Sequence, residues 1–203
     1  MDRQGTARRI TGVLLAAGQG QRFGGDKLLA RLPHNAGDAL GDTPVASAAC
    51  RPLLAALPGS VAVVRAGATA LMRAFEEEGM RVLPFERADE GMGASLAFGV
   101  AQTADAAGWV IALADMPWIA TSTVRAVAEA LERGAPVVAP AYRGARGHPV
   151  GFGAALRSEL VALRGDQGAR SILRAHAGEL MQLAVDDPGI LRDVDTRADL
   201  DAG

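Results

Sequence analysis

Two kinds of apolar pattern alternate along this chain. Short runs that are apolar at nearly every position occur at residues 11–16, 60–64, 80–84, 109–114, 136–139 and 180–185. Between them lie longer stretches, rich in alanine and leucine, at 44–56, 68–78, 94–103, 122–133, 153–163 and 167–176. A run without alternation predicts a strand buried on both faces, the environment of a parallel sheet. The longer stretches predict helices. Strands alternating with helices predict an α/β fold with a mostly parallel sheet. Ligands of such sheets bind beyond the carboxyl ends of the strands, so the residues after each strand are where chemistry is sought.

The first strand ends most abruptly. Leu14-Leu15-Ala16-Ala17 gives way to Gly18-Gln19-Gly20-Gln21-Arg22-Phe23-Gly24-Gly25-Asp26-Lys27. Glycines let the backbone turn tightly and approach a ligand closely. Exposed N–H groups in such a loop make an anion-binding concavity, and Arg22 and Lys27 add fixed positive charge. A polyphosphate site is one reading; a glycine-rich turn with two solvated cations, Lys27 exposed, is the other. The spacing fits neither a Walker A loop nor a dinucleotide-binding fingerprint.

Composition narrows the classes. The 203 residues are 49% apolar and 22% charged, with net charge −2, enough for one domain with a sizeable core. That charge gives no footprint for nucleic-acid binding, so an anionic substrate must be met by local charge. A lone cysteine, Cys50, excludes an intrachain disulfide and a cysteine metal cluster, and its apolar helical setting predicts a small core residue. No apolar stretch has the length of a membrane span, and residues 1–9 lack a signal core, so a soluble cytoplasmic protein is expected. Residues 32–43 form a polar loop, a plain connection or a lid.

Other strand ends carry candidate chemistry. Trp109-Val110-Ile111-Ala112-Leu113-Ala114 runs into Asp115-Met116-Pro117. A carboxylate there can hold Mg²⁺, or can simply start a turn. Asp193-Val194-Asp195-Thr196 offers a second acidic candidate, in which Asp195 is either a metal ligand facing Asp115 or, like Thr196, the cap of a short helix over 197–201. Glu90-Gly91-Met92-Gly93-Ala94-Ser95 leads into a helix; its glycines admit a ligand at the positive helix end, or form an ordinary turn. After the strand at 136–139, Arg143, Arg146 and His148 make the stretch up to Phe152 basic. It reads as a turn and a short extended piece, a second anion site or a solvated hairpin. Asp166, in Gly165-Asp166-Gln167-Gly168-Ala169-Arg170, is a natural helix N-cap. His34 and His176 read as surface residues, and no histidine pair has zinc spacing.

Leu15-Ala16-Ala17-Gly18-x-Gly20-x-Arg22-Phe23-Gly24-x-x-Lys27 resembles the signature of the nucleotidyltransferases with a single α/β domain, and Leu113-Ala114-Asp115-Met116-Pro117 resembles their metal-binding strand end. Within them the chain is most similar to the molybdenum cofactor cytidylyltransferase family, through segments 90–96, 147–152, 165–170 and 193–200. The resemblance covers about 10–200 and implies a Rossmann-like, three-layer α/β sandwich with about seven mostly parallel strands. It implies transfer of CMP from CTP to the terminal phosphate of molybdopterin, giving the cytosine dinucleotide and pyrophosphate. Ala16-Ala17-Gly18 goes with cytosine in that family. It implies nucleotide contacts from Leu15, Ala16, Ala17, Gly18, Gly20, Gly91, Gly93 and Ser95. Arg22 and Lys27 would hold the triphosphate and Asp115 with Asp195 would hold Mg²⁺, so Arg22, Lys27 and Asp115 carry the catalysis. Arg146, His148 and Pro149 would meet the second substrate, and a molybdoenzyme would receive the product. The 32–43 loop is longer than the family's.

A phosphate monoester nucleophile is already charged near neutral pH and needs no general base, which agrees with the lack of histidine beside the nucleotide motifs. The reaction asks for charge neutralisation and in-line positioning. The competing readings are a sugar or other small phosphate as acceptor, and a non-catalytic chaperone delivering the finished cofactor.

Overall fold

The computed structural model describes residues 9–18, 23–33 and 40–201. Its strands are β1 (Ile10–Ala16), β2 (Val61–Arg65), β3 (Arg81–Phe85), β4 (Gly108–Leu113), β5 (Val137–Tyr142), β6 (Ala145–Arg146), β7 (Val150–Gly153) and β8 (Leu180–Ala184). The helices are α1 (Val45–Ala56), α2 (Thr69–Glu77), α3 (Met92–Gln102), α4 (Thr121–Glu132), α5 (Arg157–Val161), α6 (Arg170–Ala175) and α7 (Arg197–Asp201). One sheet runs in the order β3-β2-β1-β4-β7-β5-β6, with β8 on β5. Strands β1 to β4 pair in parallel, as do β5 and β8, whereas β7 is antiparallel to both β4 and β5. The expected mostly parallel, Rossmann-like α/β sheet is present.

The pattern of β1 explains the three layers. Leu14 and Ala16 face one core, with Val45 and Leu53 of α1, Phe75 of α2 and Val127 of α4. Val13, Leu15 and Ala17 face the other, with Leu96 and Val100 of α3, Leu160 of α5 and Ile172 of α6. Successive strand side chains point to opposite faces, so a strand covered on both sides must be apolar throughout. Cys50 is fully buried in α1, as its setting predicted. Its thiol pKa is pushed up to about 12, by burial first and then by the charge of Glu78.

Two expectations need correction. The segment 147–152 is no solvated hairpin: its short extended piece is β7, residues 150–153, buried in the middle of the sheet between β4 and β5. Its alternating Val-Gly-Phe-Gly hides the apolar run. The reason for Gly151 is packing: a Cβ there would lie 2.9 Å from a Val127 methyl group of α4. The helix expected over 153–163 is correspondingly shorter, since Gly153 ends β7 and α5 begins at Arg157. Among the described residues no helix is long and apolar enough to cross a membrane.

Phe152 of β7 is fully buried and belongs to the α3–α5–α6 core. Phe152→Ala should lower stability by about 3–5 kcal/mol, the usual cost of emptying an aromatic core position. A urea unfolding curve checks this; a midpoint like the wild type's would show that β7 is not part of the packed core.

Candidate active site

A cavity of about 610 Å³ opens at the carboxyl ends of β1, β2 and β4. Leu15, Ala16, Ala17 and Gly18 line it from β1, Arg65 from the end of β2, and Leu113 and Asp115 from the end of β4. Gly91, Met92 and Ser95 form the wall at the start of α3. Most of the residues expected to bind nucleotide therefore share one cavity. Gly20, Arg22 and His34 lie outside the described residues.

Lys27 enters the cavity because of what surrounds it. Phe23 and Leu28 are buried, and a turn donating from Ala30 N–H to the Lys27 carbonyl at 3.3 Å brings the chain back toward the sheet. The Lys27 side chain is only 13% exposed, against the exposed lysine expected. Its Nζ donates to Asp115 Oδ2 at 2.7 Å and to Asp195 Oδ1 at 3.2 Å. Burial pulls the ammonium pKa down, but the hydrogen bonds and charges of the two carboxylates outweigh it, and it sits above its ordinary value.

Asp195 arrives from the far end of the chain. Val194 N–H donates to the Asp115 carbonyl at 2.8 Å, which docks this segment on the end of β4. The start of α7 is closed by Asp199, whose Oδ2 accepts from the N–H groups of Asp195 (3.0 Å) and Thr196 (2.6 Å) and from the Thr196 hydroxyl (2.8 Å). The carboxylate reaching back from within the first turn does the capping, so the Asp195 side chain serves Lys27 instead. One oxygen from each of Asp115, Asp193 and Asp195 lies within 4.8 Å of the others. Burial, then the charges of Asp115 and Asp195, raise the Asp193 carboxyl pKa. Three converging carboxylates match a hard divalent cation, which takes oxygen ligands.

The glycines at the start of α3 also have a packing task that the sequence did not reveal. Gly91 has φ of 95°, open only to glycine, and a Cβ on it would collide with the Asp166 carboxylate. A Cβ on Gly93 would lie 2.8 Å from the Arg164 carbonyl oxygen, and Gly93 N–H donates to the Gly165 carbonyl at 2.7 Å. The close approach is by loop 164–166, and Gly93 does not line the cavity. Asp166 is not a helix cap either: Ala169 occupies that position of α6 without a side-chain bond, and Asp166 lines the cavity.

Arg146, His148 and Pro149 do not line the cavity. Arg146 is exposed on β6, Pro149 is buried and His148 is half-buried. The enclosed His148 Nδ1 has no hydrogen-bond partner. Burial lowers the His148 pKa; Arg170 and Arg146 lower it further, and Asp115 opposes them. His148 thus feels the charges of Asp115, Arg170 and Arg146 from outside the cavity. His176 follows α6 and bonds Glu159 and Glu179 at 3.1 and 3.0 Å.

Sequence reasoning missed Arg65, which donates to Asp89 at 2.9 Å and to the Ala17 carbonyl at 3.5 Å. Its place at a strand end was a signal for it. The buried Asp187 was missed too, although Asp before Pro188 is a signal for the cap of the short helical turn 188–191. It accepts from Ala120 N–H at 2.9 Å, the Thr123 hydroxyl at 2.6 Å and Gly189 N–H at 3.0 Å. It thereby clasps the start of α4 to the segment leading to Asp193 and Asp195.

Residues 12–180 match the model of the MobA-like NTP transferase domain. The chain belongs to this family. It is 32% identical over 92% of its length to the nicotine blue oxidoreductase of Paenarthrobacter nicotinovorans, covering 92% of that protein. It is 29% identical to the purine catabolism protein PucB of Bacillus subtilis strain 168, over 95% and 94% of the two chains. Among solved structures, Rv0371c of Mycobacterium tuberculosis H37Rv superposes with a TM-score of 0.81 at 31% identity, over 97% of each chain. A manganese complex of Rv0371c superposes with a TM-score of 0.75 at 29% identity, over 96% and 97% of the chains. The resemblance read from the motifs at 15–27 and 113–117 is borne out, and the chain carries a nucleotidyltransferase domain.

Asp187→Ala leaves buried donors unmatched, so stability should fall by about 1–3 kcal/mol. Thermal unfolding monitored by circular dichroism measures it. An unchanged melting curve would remove the clasp from the account of how Asp193 and Asp195 are placed.

Proposed function

We propose that this protein is a CTP:molybdopterin cytidylyltransferase. The observation that carries the reading is the meeting of Lys27, Asp115 and Asp195, from three distant parts of the chain, beside the Ala16-Ala17-Gly18 segment in one cavity. CMP passes from CTP to the terminal phosphate of molybdenum-molybdopterin. An oxygen of that phosphate bonds to the α-phosphorus of CTP, the α–β bridging bond breaks, and pyrophosphate leaves with its electron pair. No proton needs removal from the nucleophile.

The chain's own residues position and neutralise. Ala16, Ala17 and Gly18 offer backbone to the nucleotide, and Lys27 and Arg22 hold the triphosphate. Asp115, Asp195 and Asp193 would hold a divalent cation, Mg²⁺ in this reading. Such an ion, when bound, supplies charge neutralisation at the phosphates. The manganese complex of Rv0371c supports a metal in this family. Arg146, His148 and Pro149, outside the cavity, would face the acceptor phosphate. The reading places the protein in the cytoplasm as one nucleotidyltransferase domain that passes its product to a molybdoenzyme.

A second reading keeps the nucleotide site and changes the chemistry. The relative from Paenarthrobacter nicotinovorans is named an oxidoreductase at 32% identity, so redox use of a bound nucleotide competes with nucleotidyl transfer. Pyrophosphate release on mixing the protein with CTP, Mg²⁺ and molybdenum-molybdopterin separates the two. Release that depends on the acceptor is expected; none with any of the four nucleoside triphosphates would overturn the transferase reading.

Two outcomes refine it. CTP should exceed GTP in kcat/KM, because a pocket fitted to cytosine leaves polar groups unmatched by the larger guanine. Equal use of both would remove the cytosine assignment. Lys27→Ala should lower kcat on the order of 10²–10³-fold, as for loss of one preorganised charge-stabilising group. Near-normal turnover in the folded variant would take Lys27 out of the mechanism.

A further inference from the structure

The Lys27 ammonium stands where a cation shared by Asp115 and Asp195 would stand. Its Nζ is 2.7 Å from one carboxylate and 3.2 Å from the other, and Asp193 brings a third carboxylate oxygen within 4.8 Å of theirs. A divalent ion bonds such oxygens at ~2.1–2.6 Å. Sharing the same two carboxylates would bring it almost into contact with Nζ. Two positive charges that close repel, and the oxygens cannot serve both at full strength.

We infer that Lys27 is the resident counter-ion of the Asp115–Asp195 pair, and that it and the divalent cation exclude one another there. The inference rests on the metal reading above. The cation then enters with its nucleotide as one complex. A triphosphate offers Lys27 new oxygen partners, and the departing ammonium uncovers the carboxylates for the ion that the triphosphate carries. The lysine stem is long and flexible enough for such an exchange. Until the nucleotide comes, the ammonium offsets part of the carboxylates' charge without metal. Free divalent ion alone loads the site only weakly.

The experiment is Mn²⁺ binding to the metal-free full chain, read as loss of the free Mn²⁺ electron paramagnetic resonance signal. Wild type without nucleotide should bind weakly. Lys27→Met, which keeps the length of the side chain and removes its charge, should bind at least about tenfold more tightly, within the ordinary range of coupling between two bound groups. Adding Asp115→Asn to that variant should abolish the gain. Equal Mn²⁺ affinity in wild type and Lys27→Met would overturn the exclusion. Should Lys27→Met not fold, wild type alone decides through the ¹H–¹⁵N signal of the Lys27 ammonium. That signal should be unmoved by Mg²⁺ alone and should shift with Mg²⁺ plus a non-hydrolysable CTP analogue. A shift with Mg²⁺ alone, or none with the pair, would overturn the inference. If Mn²⁺ binds to Lys27→Met in neither the presence nor the absence of the analogue, the metal reading itself fails, and the inference with it.

Discussion

Three carboxylates at one end of a cavity repel one another, and a positive charge among them relieves the repulsion. Asp115, Asp193 and Asp195 meet this constraint through Lys27, and much of the local architecture is arranged around it. The turn after β1 folds a lysine inward that would otherwise be solvated. Asp199 takes over the capping of α7, so that Asp195 reaches the ammonium. The docking of Val194 on the Asp115 carbonyl joins the last part of the chain to its fourth strand. Each of these contacts is ordinary in strength, and together they set the electrostatics of the site.

Much of this was legible in the sequence, for definite reasons. Strands such as β1 and β4 are covered on both faces, so their apolar runs are unbroken and easily read. Asp115 comes just after β4 and Lys27 closes the glycine-rich segment that follows β1, so the sequence marks both as candidates. β7 showed only as a short extended piece because Gly151 and Gly153 interrupt its apolar run, and Gly151 is needed for α4 to come close. A strand shaped by a helix packed against it carries little periodic signal of its own.

The misreadings around the site share one cause. Asp166 before a helix looks like a cap, and the glycines at 91 and 93 look like room for a ligand alone, when each is judged from its neighbours in sequence. The structure sets them against each other across some seventy positions. The loop around Gly165 leans on Gly91 and Gly93, and those glycines are small for its sake. Asp187 is the same lesson in the core: its bond to Gly189 is local, but its donors Ala120 and Thr123 lie more than sixty positions away and leave no trace in local pattern.

The seam between α3 and the 164–166 loop also limits how this pocket can diverge among relatives. No side chain can be added at Gly91 or Gly93 without prising the two apart, so two positions in or beside the wall are closed to variation. New preferences must be written at the few places where side chains already protrude, Arg65, Asp89, Met92 and Asp166 among them. A protein built this way can exchange one ligand for another through a handful of substitutions while its scaffold stays fixed, and closely similar chains can therefore serve unlike chemistries.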